Sequence, residues 1–210
     1  MLVRTSVSNQ TYHILQNQIL TGRYKLGDHI NIAQLSTELG VSNTPIREAL
    51  SKLESEGLVT KTGSKYQVIE ISEKQNNDMD QMMKISMLGA FELCVEKQKL
   101  DELYLSLKEA YQKQRELFHS DDYYGYIRAT IDFDRVFITV ADNIFLISTL
   151  ENITAIFTLF VSNKHRADQT SNFQEHAAIL EAIRQKDVEL ARTLLLAHYT
   201  KPLSKFPTKD

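Results

Sequence analysis

Six successive segments of this chain, near residues 77–97, 99–118, 121–140, 144–163, 171–185 and 188–200, contain no proline, and their apolar residues recur every three or four positions. That period is the face of an α-helix and not the alternation of a strand. Six such stripes must bury one another, and an antiparallel helical bundle does so. Seven glycines and three prolines in 210 residues also disfavour a sandwich built on many tight turns. The length suffices for one domain or two modest ones with real cores.

The first part of the chain has a different texture. Tyr12, Leu15, Ile19 and Leu20 fall at helical spacing within residues 8–21, and Gly22 closes that helix. Ile32, Leu35 and Leu39 mark a second short helix stopped at Gly40. A third begins at Ser42 or Asn43, carries Pro45 in its first turn, and runs through Ile46, Leu50 and Leu53 to Gly57. Leu58-Val59 and Tyr66-Val68-Ile69 are short strand candidates around the turn Gly63-Ser64-Lys65. The predicted fold class is therefore mainly α, a winged helix-turn-helix followed by the bundle. Residues 1–71 form the winged unit, 72–76 a linker, 77–203 an all-helical effector-binding and dimerisation domain, and 204–210 a tail.

Composition narrows the classes further. Cys94 is the one cysteine, which excludes an internal disulfide and an all-cysteine zinc site. No apolar signal segment opens the chain, and residues 144–161, the stretch nearest to a membrane span, are interrupted by Glu151 and Asn152. The expectation is a cytoplasmic protein without a membrane partner. The net charge of −3 divides as +1 over residues 1–75 and −4 over the rest. Such a balance allows a local phosphate-binding patch and disfavours broad wrapping of nucleic acid.

The sharpest motif spans Ser42-Asn43-Thr44-Pro45-Ile46-Arg47. Short polar side chains at a helix start let it approach a phosphate closely, and free helix N–H groups donate to the anion. Arginine pairs with guanine and asparagine with adenine through two hydrogen bonds each. Asn43 and Arg47 are accordingly assigned to bases, Ser42, Thr44 and Lys65 to the DNA backbone, with Ser64 beside Lys65 on the wing. The competing reading makes Ser42 a simple cap and Arg47 a partner for a neighbouring carboxylate.

Two histidines stand out in the helical part. His176 shares a helix face with Ile179, Leu180 and Ile183, and His198 shares one with Ala191, Leu194 and Leu195. Each lies eleven residues from Asp187 in the turn Gln185-Lys186-Asp187, roughly 16 Å along its own helix. Antiparallel helices therefore bring them to one level. Asp134 shares a face with Ile127, Ile131 and Ile138, an unusual place for a lone carboxylate. Asp134, His176 and His198 can hold Zn²⁺, Mn²⁺, Ni²⁺ or Fe²⁺ with open positions. Alternatively both histidines are buried and hydrogen-bonded, with Asp134 bonded to one of them or to a tyrosine.

Residues 8–69 resemble the winged helix-turn-helix domain of the GntR family of bacterial transcription regulators. Leu26-Gly27-Asp28, the segment Leu35 to Val41, Thr44-Pro45-Ile46-Arg47-Glu48-Ala49-Leu50, Leu53 and Glu56-Gly57-Leu58-Val59 carry the likeness. Asn43 stands where the family usually has arginine. Residues 77–200 resemble the FCD effector domain of the FadR-type branch, His176-Ala177-Ala178-Ile179-Leu180-Glu181-Ala182-Ile183 and His198 being the matching stretch. The resemblance implies a homodimer on a palindromic operator under control of a small molecule, often a carboxylate; repression is the expected mode, because an occupied operator near a promoter blocks polymerase without further contacts. It also implies a metal held by an aspartate and three histidines, and here the alignment puts Thr130 at the aspartate position and Asp134 at the first histidine position. Arg128, Arg135 and Asn143 are the candidate effector contacts, with Arg166 a further carboxylate partner. No catalytic residues are expected. The competing classes are a metal-dependent enzyme on the helical domain and a structural dimerisation protein that binds no DNA.

Overall fold

The computed structural model describes residues 6–163 and 169–200. Arg166 and the 204–210 tail lie outside them. The described residues form nine helices and three short strands. First come α1 (Val7–Leu20), β1 (His29–Ile30), α2 (Ile32–Leu39), α3 (Asn43–Ser55), β2 (Val59–Thr62) and β3 (Lys65–Val68). Then follow α4 (Glu73–Glu96), α5 (Leu100–Phe118), α6 (Tyr123–Ala141), α7 (Ile144–Asn163), α8 (Gln169–Arg184) and α9 (Val188–Thr200). Two compact units result, one from the residues up to Ser72 with Ile153–Ser162, the other from Glu73–Asn152 with the residues after Ser162.

In the first unit α1 and α3 pack face to face, and Leu15, Ile46, Leu50 and Leu53 are completely buried. The Asn31 side chain caps α2 by accepting from Gln34 N at 3.1 Å. Gly40 ends α2 in the left-handed region at φ 63°, where a side chain would be strained. The sheet has the order β1-β3-β2 with both pairings antiparallel, Thr62 facing Lys65 across the wing turn. Gly63 at φ 61° takes the first position of that two-residue loop, the place hairpin turns reserve for glycine. β1 has no counterpart in the sequence reading, because two residues are too few to show a period.

In the second unit α6 is the central helix, packed against α5 and α4, while α8 and α9 pack on each other and on α5 and α4 respectively. Phe91, Phe133 and Phe137 are completely buried, and their rings meet edge to face at 6.2–6.4 Å. A bidentate pair from Arg192 to Glu92, at 2.6 and 2.9 Å, links α9 to α4. Its hydrogen bonds hold the Glu92 carboxyl below the usual range.

Two expectations are corrected. The stretch assigned to a linker is helical from Glu73 onward: it contains no proline or glycine, Glu73 suits a helix N-terminus, and Asn76 is buried. Polar composition alone suggested a linker there. The helix expected over 144–163 forms as α7, but Glu151 and Asn152 do not make it too polar for a membrane: Ile144–Ser162 is long and apolar enough to cross one by length and composition, with a mean hydropathy of 1.9. Its second half clusters with the first unit. A helix apolar on most sides has more than one face to bury.

Cys94 is completely buried, and burial pushes its thiol up to about 11. At pH 8 the native protein is expected to react with a thiol reagent about two orders of magnitude more slowly than a free cysteine, because so little thiolate is present. Labelling before and after denaturation checks this.

Candidate functional site

The N-terminus of α3 stands in the open. Ser42, Asn43, Thr44 and Arg47 are exposed, while Ile46, Ala49 and Leu50 on the opposite side anchor the helix in the core. Ser42 occupies the N-cap position but makes no side-chain cap hydrogen bond, so its hydroxyl is available. Among the described residues Arg47 has no carboxylate partner. Asn43 and Arg47 line a cleft of about 460 Å³ together with Ser64 and Lys65 of the wing. The structure therefore brings α3 and wing side chains to one concavity.

His29, Asn31 and Tyr66 also line that cleft, and the sequence motif does not assign them to the site. Their signal is topological: β1 pairs with β3, which carries its residues to the base of the wing. The two polar caps give a contrasting prediction. Asn31→Ala is expected to cost about 1 kcal/mol, the usual loss of an N-cap. Ser42→Ala is expected to change stability by under about 0.5 kcal/mol, because no cap bond is lost. Paired thermal or urea unfolding curves check both.

The second constellation is in the helical unit. α6 supplies Asp134, α8 supplies His176, and α9 supplies His198, with one ligand atom of each within 4.8 Å of the others. His176 Nε2 is 3.7 Å and His198 Nε2 4.0 Å from Asp134 Oδ1. The two rings are 5.0 Å apart, and Phe133 stacks on His176 at 4.0 Å. The turn that aligns them is tight, with Lys186 at φ 57° and Asp187 Oδ1 accepting from Leu190 N.

Burial sets the electrostatics. It holds the His176 imidazole well below its ordinary value, aided by neighbouring His198, and it lowers His198 against the opposing pull of Asp134. Burial raises the Asp134 carboxyl, while His198 and the Tyr199 hydroxyl act against the rise. These close approaches are thus contacts of neutral imidazoles with a carboxyl group, not full ion pairs. Tyr199 donates to Asp134 Oδ1 at 2.6 Å, and His198 Nδ1 lies 2.6 Å from Glu175 Oε2. His176 Nδ1 lies 2.8 Å from Gln114 Oε1. Yet among the described residues nothing hydrogen-bonds His176 Nε2, on a completely buried ring. An orphaned buried polar atom costs about 1–3 kcal/mol, and coordination of a cation offsets it. The donor set fits a divalent transition ion.

The other candidates fall elsewhere. Thr130 is buried and hydrogen-bonded to Gln114 and to the Tyr126 carbonyl. Asn143 uses its side-chain oxygen to cap α7, accepting from Phe145 N and Leu146 N. Arg128 is exposed and Arg135 half-buried; on an α-helix they point roughly 120° and 100° away from Asp134. The structure does not bring these three together with the histidines. Gln114, Glu175 and Tyr199, which do surround them, were missed in the sequence. Glu175 and Tyr199 flank the histidines directly, and Gln114 continues the apolar stripe of Leu103 and Leu107, where a polar residue is out of place.

Residues 7–64 match the pattern described as bacterial regulatory proteins of the gntR family, and residues 88–201 match the FCD domain. The chain belongs to the GntR family. This GntR-family transcription regulator is 28% identical over 198 residues to the HTH-type transcriptional regulator YdhC of Bacillus subtilis (strain 168), covering 90% of this chain and 86% of that protein. It is 23% identical to the "Probable D-xylose utilization operon transcriptional repressor" of Paenarthrobacter nicotinovorans, over 94% and 87% of the two lengths. Among solved structures, E. coli McbR/YncC shares the fold with a TM-score of 0.69 at 23% identity, covering 93% of this chain and 94% of its own. The GntR-family fold thus extends across both units.

Proposed function

We propose that this GntR-family regulator is a dimeric operator-binding repressor whose helical unit responds to a small carboxylate through a divalent ion held by Asp134, His176 and His198. The observation that carries the DNA-binding half is the exposed start of α3, whose Asn43 and Arg47 line the same cleft as Ser64 and Lys65. In this reading Asn43 and Arg47 meet base edges, and Ser42, Thr44, Ser64 and Lys65 meet phosphates. Two copies place two α3 helices in successive major grooves, about 34–36 Å apart, on a palindromic site. A relative described as an operon repressor supports repression. A protein that acts on bacterial operators works in the cytoplasm.

The buried Asp134, His176 and His198 cluster supports the sensing half. When bound, the ion supplies a Lewis-acidic anchor for an oxygen of the effector. The chain's part is to present two neutral imidazoles, exclude water with Phe133, and position Asp134 through Tyr199. An effector changes operator affinity only as far as it prefers one arrangement of the dimer. No observation favours catalysis over sensing.

The test is selection of full-length protein against a pool of random duplexes, followed by titration of the enriched duplex with zinc and a panel of small carboxylates. An enriched inverted repeat whose affinity shifts with one carboxylate is expected. Absence of any enriched sequence contradicts the regulator mechanism, and an affinity indifferent to every carboxylate with zinc present contradicts the sensing one.

A further inference from the structure

We infer that Gln114 and Thr130 form a hydrogen-bond relay that fixes the His176 ring as its Nδ1–H tautomer and so leaves the Nε2 lone pair facing Asp134 and His198. The inference rests on the proposed metal centre and specifies what this chain's own residues contribute to it.

The relay can be followed proton by proton. The Thr130 hydroxyl donates to the Tyr126 backbone carbonyl at 3.0 Å, which leaves its lone pairs as acceptors. Gln114 Nε2 donates to that hydroxyl oxygen at 3.0 Å, and its other hydrogen leans toward the Tyr126 hydroxyl at 3.5 Å. An amide carries its donors on nitrogen and its acceptor on oxygen. With Nε2 turned to Thr130, Oε1 is the atom left facing His176 Nδ1, at 2.8 Å. A carbonyl oxygen donates nothing, so the proton of this contact sits on His176 Nδ1. In a neutral imidazole the other nitrogen is then bare.

Turning the amide over yields a different site. The Gln114 nitrogen would then donate to a bare Nδ1, and His176 would carry its proton on Nε2. That N–H would face Asp134 Oδ1 across 3.7 Å, beyond hydrogen-bond reach, and would remain a buried unsatisfied donor. The relay orientation leaves a lone pair there instead, which is what a cation takes.

The other histidine reaches the same state independently. Its Nδ1 lies 2.6 Å from Glu175 Oε2, and the Ser171 hydroxyl donates to Glu175 Oε1 at 2.8 Å. A carboxylate oxygen accepts, so His198 also carries its proton on Nδ1 and presents a bare Nε2. Two unrelated supports, an amide on α5 and a carboxylate on α8, produce the same tautomer beside one carboxyl group. Partners that hold the far nitrogen of a ligating histidine usually set metal affinity by 10–100-fold. Thr130, at the position where the resemblance implies a carboxylate ligand, thus acts on the site only through Gln114 and His176. Gln114 and Thr130 are positioning residues.

The experiment uses full-length, metal-free protein labelled with ¹⁵N in its histidine rings, with His176 assigned by its loss in His176→Ala. Long-range ¹H–¹⁵N correlation reads the tautomer, and zinc alone is the affinity probe. Wild type is expected to show His176 with Nδ1 protonated and Nε2 bare. Gln114→Met, similar in volume but lacking the acceptor, is expected to lose that pattern and to bind zinc roughly 10–100-fold more weakly. Thr130→Val should move both readouts in the same direction, and Gln114→Glu, which keeps an acceptor, should retain the pattern. Unchanged spectra of the other histidines verify folding. A protonated Nε2 in wild type overturns the relay, as does a Gln114→Met protein with the wild-type ring pattern. Wild type with Nδ1 protonated that binds no zinc refutes the metal centre while leaving the relay standing.

Discussion

Replacing Arg47 by alanine is expected to lower affinity for the enriched duplex by roughly 5- to 150-fold, the span of a base contact contributing about 1–3 kcal/mol. The loss appears at one base pair of each half-site, so a duplex altered there should discriminate wild type but not the variant. Stability should be unaffected, because the side chain is exposed and, among the described residues, unpaired with any carboxylate. Lys65→Ala should behave differently. A phosphate contact carries no sequence information, and its removal weakens all duplexes alike and reduces the salt slope by about one. Fluorescence anisotropy across a salt series, with both variants and two duplexes, separates the roles. Equal binding by wild type and Arg47→Ala would remove Arg47 from the interface.

Asp134→Asn should weaken zinc binding more than 100-fold, beyond the usual 10–100-fold effect of residues outside the coordination shell. Asparagine keeps the size of the side chain and an oxygen that accepts from Tyr199, so the hydrogen bond linking α6 to α9 is preserved. What disappears is the anionic ligand beside two neutral imidazoles, and two imidazoles alone make a poor divalent site. The variant is therefore cleaner than His176→Ala, which also removes the ring stacked on Phe133 and strands Gln114. Competition against a zinc-binding dye reads the affinity, and circular dichroism melts verify the fold. Zinc binding by Asp134→Asn as tight as by wild type would show that the ion sits elsewhere.

The elements were legible in the sequence wherever a long period was present. α5, α6 and α9 show their stripes plainly, and α3 announces both ends through Ser42 and Gly57. Short or compositionally ambiguous pieces were not. β1 is held by its pairing with β3 and has no pattern of its own. The first turn of α4 is polar yet helical, a choice made by the absence of any breaker.

The same distinction applies to the sites. His176 and His198 could be paired from sequence because a turn of known position fixes the level of two antiparallel helices. Asp134 followed from a polar residue on an apolar face. Gln114 needed the packing of α5 against α6 and α8, which no local pattern encodes. Asn143 shows the converse. A position picked out as an effector contact has its side-chain oxygen engaged in capping α7, because a helix start needs an acceptor there.

Hydrogen exchange on the full chain, with and without the enriched duplex, tests the central claim most directly. The account predicts slowed exchange confined, within the N-terminal unit, to the starts of α2 and α3 and to the wing around Ser64 and Lys65. Protection elsewhere on the chain, with the Ser42 to Arg47 tip exchanging as fast as in free protein, would contradict it.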